Sequence, residues 1–299
     1  MFPSKTVHTM RYDKIIFPMS LILLQDILYG LGDPISKYAY ESIPVYSLLT
    51  IRYWTALAFL VLFFGKPVFR ELKVCSWKAL ILPSLCMALT FIISNFAMKL
   101  TSATAVAFLR SASTVITPLL ALLVYRKRYS VKHIPILILV LVGLYLLCGS
   151  GGLSGFGGGE LLALMSALLM SGALLFAGET VHSISPVTIS TVQTAFSAVL
   201  ATACTLVFDG GLQMSAITPK IGAIIVYLAI LCTVAGYLLQ NYALKSMPAS
   251  TVALLQCAYP VMTAMFSFVI LRERLTIMST LGMVMILACV AVETCNGNA

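Results

Sequence analysis

The 299-residue sequence predicts an all-α membrane protein: ten transmembrane helices arranged as two inverted five-helix repeats around a central cavity. Three observations predict it. Hydrophobic residues make up 60% of the chain and charged residues 10%, with a mean hydropathy of +1.02, whereas soluble domains average about 25% charged. The apolar residues fall into stretches of roughly 18 to 25, enough to cross about 30 Å of hydrocarbon at 1.5 Å per residue. Residues 95–130 and 241–276 also align without a gap, 12 of 36 positions being identical.

In chain order the expected spans are 15–40, 45–64, 77–98, 102–125 and 133–149, then 160–181, 186–208, 220–244, 249–270 and 276–294. They divide the chain into a tail (1–14), a first repeat (15–149), a connector (150–159), a second repeat (160–294) and a short tail (295–299). The start of the first span imitates a signal-peptide core, but Asp26 follows, no cleavage site is evident and the apolar run resumes. A retained span is expected. The glycine-rich join GSGGLSGFGGG is either a hinge or a tolerant surface loop. The fifth and tenth spans are almost free of polar residues, so they should face lipid or the second subunit of a homodimer.

Lysine and arginine set the orientation, because cytoplasmic loops carry the excess. With the amino terminus inside, twelve basic residues lie on the inner side and five (Lys37, Lys99, Lys220, Arg272, Arg274) on the outer side. Both termini are therefore expected in the cytoplasm, with the protein in the cell (inner) membrane. The net charge of +9 is a topology signal, since the basic residues are scattered over short loops; no nucleic-acid partner is implied. Eight cysteines sit mostly within apolar spans and form no CxxC or Cys/His cluster, so neither metal nor cofactor is expected.

Five spans per repeat is an odd number, so the second copy lies upside down. The aligned turns YRKRYS and LRERLT then fall on opposite sides, with Lys127 replaced by Glu273. A weaker alignment at an offset of 142 pairs Gly30 with Gly172 and Arg52 with Thr194. Repeated membrane spans point to a transporter, because alternating access is built by rocking one repeat against the other.

Several short segments carry a family likeness: Tyr29-Gly30, Ile51-Arg52-Tyr53, Asn95-Phe96-Ala97-Met98-Lys99, Tyr242-Ala243-Leu244-Lys245, Tyr259-Pro260, and Leu271 to Thr276 followed by Gly282. Over nearly its whole length the chain resembles the drug/metabolite transporter superfamily, specifically its EamA-type ten-helix members. The resemblance implies two five-helix repeats and small-molecule transport, and leaves the substrate open. Two departures stand out: Lys127 replaces a glutamate usual in the family, and Asp26 and Asp33 interrupt the first span.

Charges deep in a membrane cost about 2.5–3.5 kcal/mol each on insertion scales, so they mark a cavity or a partner. Asp33, Arg52 and Arg110 lie about 7 to 8 residues inside their spans, roughly 10–12 Å below the outer boundary; Asp26 lies deeper. Asp26, Gly30, Asp33 and Lys37 share one helix face, where Gly30 would open room and Lys37 could reach Asp33. Pro34 and Pro260 free the carbonyls of Gly30 and Gln256. The repeat turns Arg110 into Gln256, and broken symmetry at a deep polar position suggests an asymmetric ligand.

The expected substrate site is Asp26, Tyr29, Asp33, Arg52, Arg110, Tyr237, Gln256 and Tyr259. Guanidinium groups suit a carboxylate, an aspartate at another depth suits an ammonium, and tyrosines offer apolar walls with polar tips. Equally open for the arginines is a buried pair with Asp33 that only fixes packing. For Asp26, which has no evident basic neighbour at its depth, a coupling role is expected. The functional expectation is a secondary active exporter of an amino-acid-like metabolite. Export of cationic drugs and exchange of phosphorylated or nucleotide-linked metabolites stand as alternatives. Intramembrane enzyme chemistry lacks its usual groups, since the three histidines (8, 133, 182) lie away from mid-membrane and no HExxH or GxSxG occurs.

Overall fold

The computed structural model describes residues 5–126, 135, 138–139, 142–143, 146, 157–273 and 277–296. The expected fifth span falls largely outside these residues, as do Lys127 and most of the connector. Among the described residues no strand occurs, and eight segments are long and apolar enough to cross a membrane. A further helix, Ile277–Asn296, occupies the expected tenth span.

The first span belongs to α1 (Lys5–Ala39), the second to α2 (Val45–Leu72) and the third to α3 (Trp77–Leu100). α1 begins ten residues before the expected span, because no glycine or proline interrupts 5–14. α2 likewise outruns its expected end at 64, continuing through Lys66, Arg70 and Glu71. The fourth span divides into α4 (Ala103–Arg110) and α5 (Ser113–Tyr125). The second repeat supplies α6 (Gly158–Thr180), α7 (Pro186–Phe208), α8 (Pro219–Tyr227), α9 (Gly236–Leu244), α10 (Ala249–Leu255), α11 (Tyr259–Ile270) and α12 (Ile277–Asn296).

Both fourth spans break at the aligned positions Arg110 and Gln256. In the second repeat a 3₁₀ turn, Gln256–Ala258, precedes Pro260, whose missing N–H leaves the Gln256 carbonyl without its helical donor. In the first repeat Thr114 stands where the second has Pro260. There the Ser111 hydroxyl donates back to the Ala107 carbonyl (3.0 Å), and the Thr114 hydroxyl leaves its own helix for the Ala253 carbonyl (2.9 Å). Side-chain bonds of this kind compete with the helical ladder. Between α8 and α9 the chain winds as a π-helix, Leu228–Ala235, within which the Thr233 hydroxyl donates to the Leu228 carbonyl (3.0 Å).

The two repeats share one core. α3 packs on α6 and α1 on α9; α2 packs on α7; α1 runs along α11 as α6 runs along α4 and α5. Each repeat's first helix thus sits inside the other repeat, the pattern a two-fold axis in the membrane plane generates. Buried side chains such as Ile22, Leu48, Met87, Leu174 and Leu228 fill the shared interior. Leu62, Leu123, Val207, Val269 and Ile277 stay exposed on the outside, where lipid would lie.

Where α1 crosses α11, a Cβ on Gly30 would stand 2.4 Å from Met262 Cβ and 2.9 Å from its carbonyl carbon. The expected room at Gly30 is therefore filled by α11 backbone, and glycine is needed for close approach.

Candidate functional site

One small cavity gathers charge from both repeats. Asp26 and Tyr29 (α1), Arg110, Ser111 and Ser113 (the α4–α5 break), Met170 (α6), Gln256 and Tyr259 (the α10–α11 break) line it. Its volume is ≈ 20 Å³, room for about one water molecule. Broken helices meet at the cavity because a break frees backbone polar groups and lets side chains splay toward the axis.

Asp26 is 1% exposed, and its Oδ2 has no hydrogen-bond partner. Arg110 is 6% exposed; its guanidinium lies 4.2 Å from the Tyr259 ring centroid and 5.4 Å from that of Phe91. No ion pair joins Asp26 or Asp33 to Arg110 or Arg52. The proposed buried pair that would only fix packing is thus absent, and Asp26 does have a cation, Arg110, lining the same cavity. An aspartate oxygen and a guanidinium buried around one cavity without pairing are costly in a low-dielectric interior. Native proteins keep such orphaned groups mainly where a ligand, water or proton completes them.

The other expected residues divide. Tyr29 lines the cavity, sets its ring edge-on to Phe91 (5.7 Å) and leaves its hydroxyl without a partner. Tyr259 also lines it, donating its hydroxyl to Asp33 Oδ2. Asp33, Arg52 and Tyr237 are not among the lining residues. Asp33 is half-buried and held by Tyr259. The Arg52 Nε–H donates to the Thr233 hydroxyl (2.8 Å), so this guanidinium is tied to the π-helix. Tyr237 is fully buried against Phe91, centroids 5.7 Å apart. Lys37 does not reach Asp33; it donates to the Thr101 carbonyl (2.7 Å) and lies 3.7 Å from Glu273.

Three glutamines form a chain of amides beside the cavity, of which sequence reasoning singled out only Gln256 for the site. Gln25 Nε2 donates to the Gly236 carbonyl (3.0 Å) and to Gln240 Oε1 (3.2 Å). Gln256 Nε2 donates to Gln25 Oε1 and to Gln240 Oε1, both at 3.0 Å. The signal for Gln25 was its place next to Asp26 at the middle of the first span. Gln240, a polar residue in the eighth span, suits either a cavity lining or a hydrogen bond between helices, and it makes the latter.

Carboxylates join one repeat to the other at both ends of the molecule. At the end carrying the α1–α2 and α3–α4 turns, Glu273 accepts from the Ala103 N–H (3.2 Å) and the Thr104 hydroxyl (2.6 Å). Glu160 there accepts from Thr101, and Asp209 from the Ser47 N–H (2.7 Å) and hydroxyl (3.0 Å). At the opposite, lysine-rich end Glu71 accepts from the Ser185 N–H (2.8 Å) and from the Ser185 and Thr188 hydroxyls. Each acid takes up donors at or beside the start of a helix, where N–H groups are orphaned and the macrodipole favours negative charge.

A sequence model of the EamA-like transporter family matches residues 16–149 and again residues 157–294. An "Uncharacterized transporter" of Archaeoglobus fulgidus is 24% identical over 275 residues, spanning 91% of this chain and 83% of that protein. A solved structure described as "Crystal structure of protein" superposes with a TM-score of 0.75 at 16% identity, covering 95% of this chain and 97% of that one. At that identity the likeness shows the fold alone.

Proposed function

Since the chain belongs to the EamA-like transporter family, we propose that this multi-pass membrane transporter exports a small amphoteric, amino-acid-like metabolite by alternating access. The observation that carries the proposal is the cavity itself: Asp26, with an unpartnered oxygen, and Arg110, with no carboxylate within ion-pair distance, face one hollow at the meeting of two broken helices. A ligand with an ammonium and a carboxylate would complete both groups at once. A hollow of ≈ 20 Å³ is far below the roughly 300 Å³ of an ordinary ligand pocket. The described state is therefore read as contracted, the hollow widening to take a ligand, and transport opens one end at a time.

Glu273, Glu160 and Asp209 fasten one repeat to the other at the end opposite the basic loops, and Glu71 does so at the lysine-rich end. The basic bias of the loops supports a cytoplasmic placement of that side and of both termini, in the cell (inner) membrane. The same reading has ten spans and a homodimer through the fifth and tenth. Arg52, engaged by Thr233, leaves one arginine at the cavity. That favours a singly charged carboxylate over phosphorylated ligands.

Counterflow in proteoliposomes tests the proposal. The twenty protein amino acids are offered as a panel, and the wild type is compared with Arg110→Gln. At least one amino acid should exchange, with the variant slowed tenfold or more. A wild type that moves no amino acid, or a variant as fast as the wild type, overturns it.

A further inference from the structure

We infer that Gln25 and Gln240 are positioning residues that hold Gln256 as a fixed hydrogen-bond acceptor facing the cavity, so that the site selects ligands carrying an ammonium or comparable donor. The inference deepens the amphoteric reading above and rests on it.

One backbone carbonyl sets the order of the three amides. Gly236 O can only accept, so the Gln25 group beside it must be the NH₂. That leaves Gln25 Oε1 directed at Gln256, which must therefore present its own NH₂ there (3.0 Å). The second hydrogen of Gln256 Nε2 goes to Gln240 Oε1 (3.0 Å), which also receives the second hydrogen of Gln25 Nε2 (3.2 Å). Every N–H of Gln25 and Gln256 is thereby spent. A rotation of either amide by half a turn would set oxygen against oxygen.

The one side-chain polar atom of Gln256 outside this relay is Oε1, and Gln256 is a lining residue of the cavity. An amide on a solvated surface offers donor and acceptor interchangeably by rotating; here the rotation is blocked. Gln256 Oε1 and the carboxylate form of Asp26 then supply acceptors to the cavity, while the Arg110 guanidinium supplies only donors. A polarised pocket of this kind rejects a ligand lacking the matching donor, because the buried acceptors stay unpaired. The repeat makes the same point. Gln256 occupies the position of Arg110, so the two halves set opposite hydrogen-bonding signs at equivalent places.

Gly236 also fixes the geometry of the relay. A Cβ there would lie 2.5 Å from Tyr29 Cε1 and 2.6 Å from its hydroxyl oxygen. Only glycine lets Tyr29 lie against the residue whose carbonyl sets the amide order. Gln25 and Gln240 are fully buried, so solvent does not compete for the relay.

The test is thermal stabilisation of the purified full chain by the twenty amino acids, each with its decarboxylated amine and its deaminated acid. For the amino acid that stabilises the wild type most, Gln25→Met should weaken binding of the amino acid and the amine about tenfold and leave the acid within twofold. Adding Gln256→Glu to that variant supplies an acceptor without the relay and should restore amine binding. Equal losses for amine and acid, or no rescue by Gln256→Glu, overturn the inference and leave the transport reading standing. A wild type stabilised by no amino acid and no amine overturns both. If Gln25→Met does not fold, Gln256→Met against Gln256→Glu decides alone: the first must lose amine selectivity and the second keep it, and any other result overturns the inference.

Discussion

At the scale of single residues, Asp26 and Gly30 answer to different demands. Asp26 is buried with an oxygen that nothing satisfies, a cost of several kcal/mol that packing does not repay. Asp26→Asn should therefore leave the melting temperature unchanged or raise it while abolishing transport. A variant that melts earlier and transports normally would show a structural role instead. The charged and titratable groups that share its surroundings are Tyr29 on its own helix, Arg110 from α4, Tyr259 from α11 and Cys257 from the 3₁₀ turn. If Asp26 carries a coupled proton, wild-type transport responds to an imposed pH gradient and any residual Asp26→Asn transport does not. Gly30 has no chemistry of its own, but α11 backbone occupies the space of a side chain. Gly30→Leu should cost about 3 kcal/mol or more by forcing helices apart. Gly222→Ala, where a Cβ meets nothing within 4 Å, serves as the control and should change the melting temperature little.

Among the elements, the broken fourth spans were half legible. Pro260 announces the break before α11, whereas the break at Ser111 in the first repeat has Thr114 at the equivalent position. It arises from hydroxyl groups that find carbonyls elsewhere, one of them on α10. Such competition depends on the neighbour and leaves no sequence mark. The π-helix before α9 is similar, since its Thr233 takes the Arg52 guanidinium that charge depth alone assigned to the cavity. The helix-start carboxylates belong to this scale too. Glu71→Ala removes acceptors from the first turn of α7 and should cost about 1–2 kcal/mol. Thermal melts of Glu71→Ala and Glu71→Gln measure it; equal stability of Glu71→Ala and the wild type would show that the contact contributes nothing.

For the molecule as a whole, the shared core changes what rocking can mean. Each repeat's first helix lies in the other repeat, so motion must slide helices past one another at the seams the carboxylates fasten. Ser47 and Asp209 join α2 to the end of α7. A short bifunctional thiol reagent joining Ser47→Cys to Asp209→Cys, in a cysteine-depleted background, should stop counterflow reversibly. Full activity after complete cross-linking would show that this end does not open.

The ten apolar stretches, the duplicated segment and the placement of basic residues needed nothing beyond the chain itself. They are set by hydrophobic length and by repetition, which act residue by residue. Which deep polar groups meet was decided only in three dimensions. Arg52 and Arg110 lie at similar expected depths, yet one is bound to Thr233 and the other lines the cavity. Gln25 gained its role from a carbonyl 211 positions away in the chain. The physical reason is that hydrogen bonds are short and directional, so their partners follow from helix crossings that hydropathy does not encode.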